Sequence, residues 1–241
     1  MLEIWRWPVK SMGGERVRST RVDERGLGGD RTHALMHEHK GARKPLTARE
    51  APRLLAWRAS YPFAPDASLE PDDPPHAQVA APNGKAFQWG DPRLRTALQD
   101  DLGRAVEPAR DPRGHQDLER SLLVTTQGTR AALEQELGMP LDLRRFRTNL
   151  HLELDAAPWE EHGWEGGELH FAGGVVLRLL HPCARCVIPT RDPDTQEKLP
   201  QLLRHLDAQH ATLFGINARV LRAGRIAAGE TVATDPAGVR R

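Results

Sequence analysis

The chain has 241 residues, of which 39% are hydrophobic and 28% charged, with a formal net charge of +1. A composition of this kind argues for a packed soluble globule and against disorder, and the length allows one large domain or two small ones. No apolar run approaches a membrane span, no bulk positive charge draws the chain to nucleic acid, and two cysteines cannot build a disulfide framework or a four-thiolate cluster.

The N-terminal stretch "MLEIWRWPVKSMGGE" is broken by Lys and Arg, which is not the pattern of a signal peptide, so a cytoplasmic location is expected. The first half reads as short strands. "LEIWRWPV" is one, "RVRSTRVDE" alternates weakly, and "RTHALMH" from Arg31 to His37 is clearer. "LLAWRAS" from Leu54 to Ser60 is expected to be another. Gly and Pro clusters such as "DERGLGGD" and "LEPDDPPHAQ" separate them, and many short strands at this spacing suggest a barrel or sandwich. A helix follows, with Asp91 as N-cap, Pro92 at the first helical position and Gly103 as its stop. A domain boundary is placed here, giving units 1–104 and 105–241.

The second half mixes helix and strand. "SLLVT" is a buried strand and "TRAALEQEL" a helix stopped by Gly138 and Pro140. "NLHLEL" alternates, which puts Leu150, Leu152 and Leu154 on a buried face and His151 and Glu153 on a solvated one. "GELHF" and "VVLRLL" form strands joined by a turn at "AGG". "QEKLPQLLRHLDAQH" is helical with Pro200 early, and "INARVLRAG" and "ETVAT" close the chain as strands.

Both cysteines fall in "HPCARCVIPTRDPD", at Cys183 and Cys186. A C-x-x-C pair suits half a zinc site, a redox dithiol, or one thiolate ligand to a softer metal; a buried structural pair is the plain alternative. His151-Leu152-Glu153 followed by Pro182-Cys183-Ala184-Arg185-Cys186 matches the order of a zinc nucleobase deaminase. Those motifs should open helices, however, and "NLHLEL" reads as a strand. A redox dithiol likewise expects a helix after the pair, and "CVIPT" is a poor one. For a single thiolate ligand the surroundings help. Arg185 puts a positive charge beside the sulfurs, and Asp192 and Asp194 sit in a proline-stiffened turn.

Lys10 and Ser11 in one turn, Arg31 after paired glycines, and Arg147 and Asn149 at a strand entrance would make an anion cradle if the fold gathers them. His33, His37 and His39 are expected to face solvent, and "WEEHGWEGGE" from Trp159 to Glu168 to be a surface loop.

Taken together and in order, these segments resemble one family. "WPVKSMGGE" resembles the start of the N-terminal β-barrel module found with MOSC domains, and "GDRTHALM" its Asp-Arg strand. "SLLVTTQGTRAAL", "FRTNLHL", "CARCVIPTRDPDT" and "GRIAAGETV" resemble successive segments of the MOSC domain itself. Thr148 stands where the family has proline, and Gln196 where its "DPDTG" has glycine. The resemblance, to the mitochondrial amidoxime-reducing component and its bacterial relatives, implies a β-rich α+β fold, with the N-terminal β-barrel module packed on a MOSC β-barrel and peripheral helices. It implies the molybdenum cofactor (molybdopterin), with Cys186 completing the metal's coordination and Lys10, Ser11, Arg31, Arg147 and Asn149 gripping phosphate and pterin, Arg185 beside them. It also carries a family-level link to pyridoxal phosphate.

The expected function is a molybdenum-cofactor oxidoreductase acting on N-hydroxylated small molecules, with electrons from a separate electron-transfer protein. Asp192 and Asp194 are the nearest acids to the reacting centre. A sulfur carrier using a persulfide on Cys186, and a zinc deaminase, are the rival readings. Neither nucleic acid nor membrane is an expected partner.

Overall fold

A computed structural model describes residues 1–63, 69, 73–115 and 122–235. Glu70, Pro71 and Asp72 of the "LEPDDPPHAQ" connection and Ser121 of "SLLVT" lie outside the described residues. The fold is α+β and β-rich, with three α-helices among the described residues, α1 (Pro92–Leu102), α2 (Gln127–Leu137) and α3 (Pro200–His210).

An eight-stranded sheet runs in the order Val232–Asp235, Glu168–Phe171, Val176–Ala184, Leu213–Arg222, Leu122–Thr126, Leu150–Leu152, Glu3–Arg6, Glu15–Val17. Only the Leu122–Thr126 and Leu150–Leu152 pair is parallel. Ile4, Leu122, Val124, Leu150, Leu177, Leu179 and Ile216 bury one apolar core, closed by Val22, Leu27 and Ile226 of a three-stranded sheet. The two halves of the chain interleave in these sheets. Ser19–Asp23 pairs with Gly224–Ala227, and His33–His39 pairs with Glu107–Arg110. A second core around Leu35, Leu54, Trp57, Leu94 and Leu98 lies in the N-terminal part, and a third joins α2 and α3 through Leu133, Phe146, Leu202, Leu206 and Phe214.

The helix ends follow local chemistry. The Asp91 carboxylate accepts from the Arg93 amide, Pro92 begins α1, and Gly103 ends it in the left-handed region at φ 62°. Thr126 caps α2, and Gly138 ends it at φ 68°. Pro200 is the first residue of α3, so the helix starts there and not at "QEK".

Three expectations are corrected. Leu54–Ser60 is not one strand: Pro52–Ala56 is a 3-10 turn that buries Leu54 and Leu55, and only Arg58–Ser60 extends. His33 is fully buried, its ring against Trp89 at 5.0 Å, because its strand is covered by the N-terminal core. The Trp159–Glu168 stretch is not all surface, since Glu161 is buried and accepts a 2.8 Å hydrogen bond from the Thr129 hydroxyl.

Candidate functional site

The strand Val176–Ala184 loses its regular register against Leu213–Arg222 between Leu179 and Pro182 and again between Pro182 and Ala184. Proline has no amide hydrogen for the ladder, and such irregularities re-aim side chains at a sheet's rim. The chain thereby brings Cys183 and Cys186 to the wall of a cleft of about 280 Å³. Lys10, Ser11, Arg31, Arg147 and Arg185 line the same cleft. The fold therefore gathers segments from both ends of the sequence around the cysteine pair.

Three of these residues hold backbone conformations that disfavour any side chain. Ser11 has φ 70°, Arg31 φ 52° and Arg147 φ 54°. Strain of this kind costs on the order of 1–3 kcal/mol per residue and clusters where a function needs it. Each is pinned by neighbours. The Ser11 hydroxyl oxygen accepts from the Ala48 amide at 3.0 Å. The Arg31 amide donates to the Trp7 carbonyl at 2.7 Å, and its guanidinium pairs with the buried Asp30. Arg147 donates from Nη1 to the Met12 carbonyl at 2.6 Å and lies 4.4 Å over the Trp7 ring.

Arg147 is the electrostatic centre of the cleft. Burial pushes its pKa down to about 9, the Arg31 and Arg185 cations add to that, and Asp30 opposes it. Its Nη2 is buried without a hydrogen-bond partner, as is Nε of Arg185. Buried donors are normally satisfied, so two orphaned guanidinium nitrogens at one cleft fit a bound anion. Arg185 is otherwise occupied: Nη1 donates to Cys183 Sγ at 3.0 Å and Nη2 to the Phe146 carbonyl at 2.7 Å. Cys186 Sγ makes no hydrogen bond to a described residue.

Asn149 does not line the cleft. It is fully buried behind it, where Oδ1 accepts from the Leu123 amide at 3.1 Å and Nδ2 donates to the Trp5 carbonyl and to Asp30. Its Oδ1 also lies 3.5 Å from Arg31 Nη1, so its contacts reach the cleft only through Asp30 and Arg31. Asp192 and Asp194 are also away from the cleft. The Asp192 carboxylate accepts from the Asp194 and Thr195 amides and pairs with Arg145 at 2.8 Å. Asp194 pairs with Arg58 and with Arg144, whose hydrogen bond holds its carboxyl below the usual range. Gln196, in place of the glycine of "DPDTG", sits at φ 65°. The turn needs a left-handed residue there, which is why a glycine suits it.

Thr47, Arg49, Phe146 and Asn217 also line the cleft. Phe146 opens the "FRTNLHL" segment, whereas nothing in the local sequence of Thr47, Arg49 or Asn217 sets them apart, although Asn217 pairs across the ladder with Leu123. A second cavity, of about 300 Å³, shares Arg147 and Ile188 but contains neither cysteine; the stacked Trp5 and Trp7 line it. We assign the site to the cavity that holds the sulfurs.

His151 corrects another expectation. It is buried, not solvated, with Nδ1 3.0 Å from the Thr125 hydroxyl and Nε2 2.9 Å from Gln127 Oε1. Its strand lies between two others, so neither edge is open. His151 does not converge with the cysteines. Among the described residues, three metal-ligating side chains meet only at Glu136, His205 and His210. The geometry of a zinc deaminase is therefore not present at Cys183 and Cys186.

The chain matches the MOSC domain over residues 111–233, and so belongs to the MOSC-domain proteins. It is of the kind that carries the MOSC N-terminal beta barrel domain, matched over residues 1–97. No curated protein matches it by sequence. Among solved structures, the YuaD protein from Bacillus subtilis is similar over 98% of this chain and 94% of its own, at 13% identity and a TM-score of 0.52. That likeness shows the fold. YiiM from Geobacillus stearothermophilus aligns over 49% of this chain and 56% of its own, at 20% identity and a TM-score of 0.39. No helix among the described residues is long and apolar enough to cross a membrane.

Proposed function

We propose that the cleft binds the molybdenum cofactor and that the protein reduces N-hydroxylated small molecules with electrons from a separate redox protein. The observation that carries this reading is the pair of buried, unpartnered guanidinium nitrogens on Arg147 and Arg185, in a cleft that also presents Cys186. An anionic, phosphate-bearing group satisfies those donors, and a thiolate suits a soft metal. When bound, the cofactor supplies two-electron redox chemistry.

The chain's own residues have distinct tasks. Arg147 and Arg31 hold the anionic end, and their left-handed backbones fix where the charge sits. Lys10 and Ser11 add polar lining from the N-terminal module. Cys186 is the metal ligand, because its sulfur is not spent on a protein hydrogen bond, whereas the Cys183 sulfur is held by Arg185. Asp30 and Asn149 orient Arg31 from behind. Asp192 and Asp194, the nearest acids by sequence, hold the loop that follows Cys186 and do not deliver protons to the cleft.

A sulfur carrier with a persulfide on Cys186 is the second reading, favoured by the presence of both sulfurs at one cleft. An assay with an N-hydroxylated amidine and a strong artificial electron donor separates the two. The proposal expects turnover that Cys186→Ala abolishes. No turnover by cofactor-loaded protein, with a persulfide found on Cys186 by mass spectrometry, establishes the carrier instead.

A further inference from the structure

We propose that Glu136, His205 and His210 form a binding site for a divalent transition-metal ion of the zinc type, separate from the cysteine cleft. Glu136 lies in the last turn of α2, and His205 and His210 lie on α3. Both Nε2 atoms donate to the same oxygen, Oε2 of Glu136, at 2.7 Å each. The three candidate ligand atoms all lie within 4.8 Å of one another. Two imidazoles and one carboxylate are a recurring zinc donor set, with one coordination position left to water. Bond lengths of about 2.0–2.2 Å place tetrahedral ligand atoms roughly 3.3 Å apart. The triad reaches that spacing by opening its two hydrogen bonds by about half an ångström and by setting the two Nε2 atoms, no more than 4.8 Å apart, to the same separation; each ring must then carry its proton on Nδ1.

The ligands are held in place by more than each other. The His210 ring stacks on Trp159 with centroids 3.6 Å apart and planes 17° from parallel. The two histidine rings are tilted by 56° at 5.9 Å, so their Nε2 atoms face one point instead of stacking. The two imidazoles are partly shielded, with side-chain exposures of 24% for His205 and 15% for His210, while Glu136 is at the surface. Burial alone would raise the Glu136 carboxyl, but the hydrogen bonds from His205 and His210 outweigh it and keep the carboxyl below its usual value.

The site also has a route to the cleft. The chain leaves His210 through Ala211 and Thr212, both left-handed at φ 50° and φ 64°. The Thr212 carbonyl accepts from the Arg185 amide at 2.8 Å, between the two cysteines. An ion that clamps α2 to α3 therefore stiffens the turn that supports Arg185. None of the three ligands lines either cavity described above, so the ion's role is to fasten the fold and not to meet substrate.

The test is titration calorimetry with Zn2+ on untagged, chelator-treated full chain, in which Cys183→Ser and Cys186→Ser remove competing thiols. One Zn2+ per chain is expected, with affinity at least tenfold weaker after His205→Ala, His210→Ala or Glu136→Gln. Glu136→Gln keeps the side chain's shape and an acceptor oxygen, so it reports on the charge even if a histidine variant unfolds. Zn2+ should also raise the melting temperature of the parent and not of the variants. Absence of a binding event in the parent, or unchanged affinity in Glu136→Gln and the folded histidine variants, overturns the proposal.

Discussion

Arg185 donates from Nη1 to Cys183 Sγ at 3.0 Å, and Cys186 is left without a hydrogen bond to any described residue. The two cysteines of "CARC" are thus unequal by geometry. Cys183→Ser keeps an acceptor for Arg185 and should preserve the cleft. Arg185→Met removes a cation and the hold on Phe146. In thermal melts with phosphate as the probe anion, Cys183→Ser should retain the phosphate-dependent rise in melting temperature. Arg185→Met should lose most of it. Loss of one charge-assisted contact is worth about 1.5–3 kcal/mol, enough to weaken anion binding by tenfold or more.

If Asn149 is a positioning residue, as proposed, its removal should act first on stability. Asn149→Ala leaves the Leu123 amide without its side-chain acceptor in the core and takes one donor from Asp30. An orphaned buried group costs about 1–3 kcal/mol. Urea unfolding should show that loss without ligand. Asn149→Asp, which keeps an acceptor for Leu123 but sets a second charge against Asp30, should be at least as damaging. An Asn149→Ala variant as stable as the parent that loses anion binding would instead make Asn149 a direct ligand.

The buried histidines set an acid-side limit on the fold. Burial pushes the pKa of His33 down to about 3 and that of His151 to about 4, from an ordinary 6.5. Above the ordinary value both forms of the chain hold these rings neutral and folding is unaffected. As pH falls through it the unfolded chain takes up protons that the folded chain refuses, so stability is lost. Each ring contributes roughly 1.4 kcal/mol per pH unit in that window, on the order of 2 kcal/mol between pH 7 and pH 5. NMR titration should find the His151 ring neutral at pH 5, and unfolding midpoints should fall steadily from pH 7 to pH 5. Protonation of His151 near pH 6.5 in the folded protein would contradict its burial.

Asp194 joins Arg58 of the N-terminal half to Arg144 of the second half. These side chains are partly exposed, so the pairs are worth no more than about 1 kcal/mol. Asp194→Asn should raise hydrogen exchange over residues 191–198 and leave global stability nearly unchanged. If turnover vanished while exchange stayed the same, Asp194 would be a proton donor and not a loop fastener.

The readable parts of the sequence were those where one residue answers one local demand. Asp91, Pro92 and Gly103 mark both ends of α1, and the Gly173–Gly174 turn marks the hairpin after Phe171. His151 was misread because alternation reports polarity, and a polar ring can be buried when Thr125 and Gln127 receive it. The expected strand over Leu54–Ser60 is only its Arg58–Ser60 end, because an apolar run serves a buried 3-10 turn as well as a strand. The convergence of Lys10, Arg31, Arg147 and Cys186 depends on segments far apart in sequence, carried by more than one sheet, meeting at one cleft, which no local pattern encodes. The left-handed backbones of Ser11, Arg31 and Arg147 were equally invisible, since none is the glycine that would signal them.

The proposal that Cys186 holds the metal in this cleft is checked by elemental analysis of freshly purified protein from a host that makes the molybdenum cofactor. About one molybdenum per chain is expected in the parent and in Cys183→Ala, with its loss in Cys186→Ala. Molybdenum retained in Cys186→Ala, or absent from the parent after reconstitution with the cofactor, would contradict it.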